Sequence, residues 1–288
     1  MSGTIEIVAG DTRAKLALRG AELRSWRVGG RELMWQGDAA SWPATSPVLF
    51  PVCGATRDGI IRVAGQSFPL GLHGFAARAM FAIASIDSDH VRFVLKDDVA
   101  TRTHYPFGFA LTVEYRVAPG RIDARLGIRN TGSGAMPYAC GLHPGFRWPF
   151  GGGAPTDYRV VFDELENPNV PVIAAGGLFS RRLREVPLSG RVLDLAPSLF
   201  AAEALCFLGA ASRGLGFEGP DGAIRVETEN FPHFVLWRKP PGEFLCIETW
   251  SGTGDPEDFA GDLFAKPSMR ILTPGEEAVH AARFSFIL

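Results

Sequence analysis

No dense cysteine pattern, no long apolar run and no excess of either charge marks this chain of 288 residues. Its four cysteines, Cys53, Cys140, Cys206 and Cys246, are scattered without a C-x-x-C pair. That excludes a disulfide-dense scaffold or a zinc ribbon and leaves them as small buried hydrophobes of a reducing compartment. Nowhere does the chain approach the roughly 20 uncharged apolar residues that span a bilayer, and Met1–Glu6 lacks the basic and then apolar pattern of a leader. A cytoplasmic protein is expected, with no membrane partner. The 29 basic and 31 acidic residues, net −2, are spread along the chain, so no long-range field exists to draw a polyanion and nucleic acid is not an expected partner. There is no G-x-x-x-x-G-K-[ST], G-x-S-x-G, H-E-x-x-H or dinucleotide fingerprint, which removes the usual support for nucleotide-binding, serine-hydrolase and zincin chemistry.

What is present is a β pattern. Short runs rich in Val, Ile, Leu and Phe alternate with clusters built from 34 glycines and 21 prolines, and no repeat appears at propeller or solenoid periods. Strands are predicted over residues 4–9, 14–18, 21–28, 80–88, 90–96, 109–117, 121–130, 157–162, 204–209, 214–218, 223–229, 233–237, 244–249 and 278–287. In 121–130 (RIDARLGIRN), Ile122, Ala124, Leu126 and Ile128 share one face while Asp123, Arg125 and Arg129 share the other, as a strand with one wet face requires. Ala118-Pro119-Gly120 joins it to 109–117 as a hairpin. So many strands favour stacked antiparallel sheets, an all-β fold class. Gly151–Pro155 and Ala174–Gly177 are expected to be loops within a domain, too short for linkers.

Four segments combine turn residues with polar side chains in ways a strand does not need. In Ser46–Gly54, leading to Thr56-Arg57-Asp58-Gly59, Arg57 either faces water or offers paired donors to hydroxyls or a carboxylate. In Leu70-Gly71-Leu72-His73-Gly74-Phe75-Ala76, His73 sits between glycines, beside an aromatic. It is either a satisfied structural histidine or a ligand contact, with Phe75 stacking on the ligand. In Gly141-Leu142-His143-Pro144-Gly145-Phe146-Arg147-Trp148, His143 is either an exposed loop histidine with no role or an imidazole projecting into a cleft: Pro144 biases it toward extended backbone, and Phe146 and Trp148 offer flat apolar surface of the kind that covers a pyranose. In Phe244–Gly252 an apolar strand runs straight into Glu248. A glutamate there is either emerging into solvent or held in a site, and Trp250 and Gly252 favour the site. The Asp255-Pro256-Glu257-Asp258-Phe259 run reads as a solvated acidic loop. His90, His104, His233 and His280 have no ligand spacing and read as surface or packing residues.

Taken in order, SPVLFPVCGATRDG, GLHGFA, GLHPGFRWP and FLCIETWSGTGDPEDFAGDLFAKPSMRILTPGEE resemble the aldose 1-epimerase family, in particular its LacX-like branch, over most of the chain. The resemblance implies one domain over residues 1–288, folded as a large two-sheet β-sandwich (a supersandwich), acting on a small sugar as a monomer or homodimer and using no metal or organic cofactor. It also implies that Glu248 is the general base and His143 the general acid, with His73 and Arg57 binding substrate. Such a pair takes the proton from the C1 hydroxyl and delivers one to the ring oxygen from opposite sides of the ring, which opens it; rotation and reclosure invert C1. Proximity of opposite charges is expected to keep His143 protonated and Glu248 ionised. One departure is that Glu203 stands where relatives carry a sugar-binding aspartate. Arg147, Arg238 and Lys239 lie near these segments, so a hexose 6-phosphate is the alternative substrate class, and a non-catalytic carbohydrate-binding or regulatory module is the alternative function.

Overall fold

The computed structural model describes residues 3–288. It is built almost wholly of strands, every pairing between them antiparallel. The largest sheet has nine, in the order Val192–Asp194, Arg159–Phe162, Gly214–Gly219, Gly222–Glu229, Glu277–Ile287, Arg121–Asn130, Phe109–Ala118, His90–Lys96 and Ala82–Ile86. The strands at its centre are those with the clearest alternation. Arg121–Asn130 pairs with Phe109–Ala118 from Ala118↔Arg121 to Phe109↔Asn130, closing on the expected Pro119-Gly120 turn. Ile122, Ala124, Leu126 and Ile128 point into the core.

A six-stranded sheet carries Glu248. Leu205–Phe207, His233–Trp237, Phe244–Trp250, Gly141–Leu142 and Val48–Leu49 lie side by side in that order, and Gly145–Arg147 also pairs with Phe244–Trp250. Successive side chains of a strand point to opposite faces. One face of this sheet, with Phe234, Leu236, Leu245, Ile247, Leu142 and Val48, joins a large core that runs from Ile7 to Phe284. The other face supplies Leu49, Cys206, Val235 and Trp250 to a small separate cluster completed by Cys53, Ala139 and Phe179. Each fully buried Leu, Ile or Phe contributes about 1.5–3 kcal/mol, which lets the large core offset the cost of burying charged and polar groups on the opposite face.

The sequence does not reveal the hairpin Asn169–Ala174 with Leu178–Glu185, whose run of arginines hides its strand pattern. Its turn is the expected Ala174–Gly177 loop, and it reaches across to the small cluster through Ile173 and Phe179. All four cysteines are free and buried. No helix among the described residues is long and apolar enough to cross a membrane.

Candidate active site

Register builds the centre of the site. Leu142 pairs with Thr249 and Gly145 with Cys246, so His143 falls opposite Glu248 on the neighbouring strand, on the face away from the large core. Pro144 interrupts the strand at this point, and the backbone is held on both sides: His143 N–H donates to Pro47 and Ile247 N–H donates to the Pro144 carbonyl, each at 3.1 Å. The side chains meet, with His143 Nε2 lying 3.2 Å from Glu248 Oε2. The same Oε2 accepts from Trp250 Nε1 at 2.9 Å. Both members of the pair are buried, with 7% and 2% of their side chains exposed.

His73 comes from a turn bound to Phe50–Gly54. Its N–H donates to Gly54 and its carbonyl accepts from Phe50, while Gly54 N–H donates to its Nδ1 at 3.0 Å. The turn requires left-handed backbone at His73, φ 59°, and at Gly74, φ 72°. Histidine tolerates that region better than most residues. At Gly74 only glycine fits, because a Cβ there would lie 2.2 Å from the Phe50 carbonyl oxygen. The imidazoles of His73 and His143 meet edge to face at 5.5 Å.

Burial governs the titration of all three. It drives Glu248 well above the usual carboxylate range, opposed by the Trp250 hydrogen bond. It drives His143 well below the usual imidazole range, helped by His73, and it lowers His73 to about 4, helped by Arg78. Desolvation thus opposes both charges of the expected ionised glutamate and charged histidine, and the 3.2 Å contact allows a proton to pass between Nε2 and Oε2.

His73, His143 and Glu248 each place a ligand atom within 4.8 Å of the others, a spacing that suits a metal ion. The surrounding bonds do not suit one. A ligating histidine donates an N–H from its other nitrogen, whereas His73 Nδ1 accepts from Gly54, which places the hydrogen on Nε2, and His143 Nδ1 is buried without a partner. The set presents an N–H donor and a proton-sharing pair, which is equipment for moving protons at a polar ligand.

The other expected residues divide. Arg57 starts the 3-10 turn Arg57–Gly59, its N–H donating to Asp255 and its Nε to the Phe259 carbonyl at 2.8 Å. Asp255 is no solvated loop residue: it is 5% exposed and its carboxylate lies 2.8 Å from the fully buried Lys266 ammonium. Glu203 accepts from Arg184 Nε and from the Ile173 N–H, so both its oxygens serve to hold the 169–185 hairpin. Phe75 and Trp148 do not supply the stacking surface. Phe75 packs against Phe50 and Phe109 in the large core. Trp148 is 2% exposed, with its ring against Phe200 and Arg238 and its Nε1 on the Pro155 carbonyl. Arg238 is engaged there and on the Gly242 carbonyl, while Arg147 and Lys239 are exposed. The aromatic rings that do touch His143 are Trp42 and Trp237. Trp42 stood unremarked in the sequence because only the fold brings it to His143. Trp237 had a signal, being on the strand beside Phe244–Trp250 and two residues from Val235, the partner of Glu248.

Comparison with known proteins gives the family and the fold. Residues 3–167 match the family model described as aldose 1-epimerase. The chain belongs to the aldose 1-epimerase family. Among curated relatives, the chromosomal Protein LacX of Lactococcus lactis subsp. lactis is 30% identical over 259 residues, covering 85% of this chain and 86% of LacX. Among solved structures, a galactose mutarotase-like protein from Lactobacillus casei ATCC 334 superposes with a TM-score of 0.92 at 25% identity, covering 99% of this chain and all of that one. A galactose mutarotase related enzyme from Lactobacillus acidophilus shares the fold, with a TM-score of 0.89 at 24% identity over 99% and 98% of the two chains. The aldose 1-epimerase model contributes His73 and His143 within its matched span, and Glu248 lies beyond it.

Proposed function

We propose that this chain is a mutarotase that interconverts the α and β anomers of a free aldohexose, with Glu248 as base and His143 as acid. The observation that carries the reading is the 3.2 Å contact between His143 Nε2 and Glu248 Oε2 in a buried site beside His73.

The contact revises the geometry expected for the reaction. The two groups flank one edge of a sugar instead of facing each other across the ring. That edge is the right one, because the C1 hydroxyl and the ring oxygen are bonded to the same carbon. With its proton on His143 the pair is an imidazolium and a carboxylate. Glu248 takes the hydroxyl proton, His143 gives its proton to the ring oxygen, the C1–O5 bond breaks and the open aldehyde results. Both protein groups are then in their opposite protonation states. Rotation about C1–C2 and return of the two protons close the ring with C1 inverted and restore the pair. In this reading His73, with its hydrogen on Nε2, binds a substrate oxygen, and Arg57, whose Nε donates to the Phe259 carbonyl, is the second substrate-binding residue.

Polarimetry of freshly dissolved α-D-glucose and α-D-galactose tests the proposal. Wild-type protein should speed the approach to equilibrium over the spontaneous rate, and Glu248→Gln and His143→Asn should not. If the wild type speeds glucose 6-phosphate but not the free sugars, the substrate class is wrong. If it binds sugars without speeding any, the chain is a binding module.

A further inference from the structure

His143 has to carry a proton during the reaction, yet its surroundings oppose one. It is 6% exposed, its Nδ1 is buried without a hydrogen-bond partner, and no carboxylate steadies that side of the ring as in many catalytic histidines. Among the described residues the ionisable groups that meet it are Glu248, from the adjacent strand, and His73, from the 71–74 turn. His73 disfavours the charge. The remaining rings against it are uncharged.

One of them is placed with care. The Trp42 indole lies parallel to the His143 imidazole, with centroids 5.0 Å apart and planes 28° apart. Its other neighbour is Phe244, also near parallel at 5.2 Å and 29°, and Trp237 closes the group edge-on at 5.5 Å. The Trp42 carbonyl is tied down by Trp35 Nε1 at 2.8 Å. Space for the indole exists only because residue 145 is glycine: a Cβ there would lie 2.7 Å from a Trp42 ring carbon. The indole thus stacks near parallel to both His143 and Phe244. What it offers His143 is the electron-rich face of a π system, which attracts a cation more strongly than any other aromatic side chain does.

We propose that Trp42 is a positioning residue for the acid: it fixes the His143 ring so that Nε2 stays on Glu248, and its face stabilises the imidazolium from which the ring oxygen is protonated. This rests on the mutarotase reading for its catalytic meaning. Trp250, by donating to Glu248 Oε2, does the matching service for the carboxylate. The two tryptophans thereby pull the shared proton toward His143 and favour the charged form of the pair.

The test uses Trp42→Leu, Trp42→Phe and Gly145→Ala, with mutarotation followed against pH and the His143 imidazole followed by nitrogen-15 NMR. In Trp42→Leu, kcat should fall on the order of tenfold with KM little changed. The alkaline limb of the rate profile, where His143 loses its proton, should move to lower pH, and the NMR titration of His143 should move with it. Trp42→Phe should recover part of both, since it keeps a weaker π face. Gly145→Ala keeps the indole but displaces it, so it should resemble Trp42→Leu and carries the test if that variant does not fold. A fall in kcat with the alkaline limb and the His143 titration both unmoved would leave Trp42 a packing residue and overturn the inference. Absence of turnover in the wild type sinks the functional reading, whereas the imidazole titration still decides whether Trp42 stabilises the charge.

Discussion

Glu248 Oε2 accepts from Trp250 Nε1 at 2.9 Å and lies 3.2 Å from His143 Nε2, so a single carboxylate oxygen meets both neighbours. These two contacts set the first expectations.

Glu248→Gln and His143→Asn should each lower kcat by roughly 10²–10⁴, the usual worth of a placed acid or base. Because the two act as one proton-sharing unit, the double variant should be little worse than either single one. Rates that multiply to the product of the single losses would mean that the residues act independently.

Trp250→Phe removes the Nε1 hydrogen bond, which favours ionised Glu248 over its protonated form. The carboxyl should then hold its proton to higher pH. The acid limb of the rate profile should shift upward, with kcat at neutral pH down on the order of tenfold. An unshifted acid limb would assign the bond a purely structural part.

Lys266 and Asp255 form an ion pair with only 0% and 6% of their side chains exposed. Lys266→Met should cost about 3–5 kcal/mol, because it leaves Asp255 charged and unpartnered in a dry place. Asp255 also accepts the Arg57 N–H, so KM for sugar should rise together with the loss in denaturation midpoint. A variant as stable as the wild type would show that water reaches Asp255.

Stability should fall in acid. Burial holds His73, His233 and His280 neutral, each with its pKa lowered to about 4 from 6.5. In the unfolded chain they take up protons as pH drops through 6.5, while in the fold they resist until about 4. Their contribution is therefore complete above 6.5 and is lost progressively down to 4, with about 3 kcal/mol at most from His280, which is 1% exposed. Glu248, raised by burial, acts in the opposite sense: it favours the fold below its unfolded value of 4.5 and costs stability as pH rises through its folded value. Urea denaturation at pH 7.5 and at pH 4.5 checks the balance, and equal midpoints would show that the histidines are not desolvated.

Four strands were legible residue by residue, 90–96 and 121–130 from their alternation and 4–9 and 233–237 as short β-rich runs between breaks. Two-residue strands such as Val48–Leu49 and Gly141–Leu142 were not, because so short a run carries no period. Glu248 and His143 could be singled out from local chemistry, as an acid at the end of an apolar strand and a histidine before proline. Trp148 and Phe75 misled for the same reason that Trp42 escaped notice. Nearness in sequence puts an aromatic beside a histidine along the strand, but a ring in contact with it has to come from a neighbouring segment, and register decides which one does.

The strand Phe244–Trp250 sends Leu245 and Ile247 into the large core and Cys246, Glu248 and Trp250 to the opposite side. Its lineage of permissible changes is correspondingly narrow. Under the proposed function, single replacements at Glu248 leave the large core undisturbed, so this side is where variants with new sugar preferences should accumulate. Insertion or deletion of one residue has no such freedom. It would exchange the two sides at once, thrusting Glu248 among leucines and presenting Thr249 to the sugar, so no graded intermediate lies along that route.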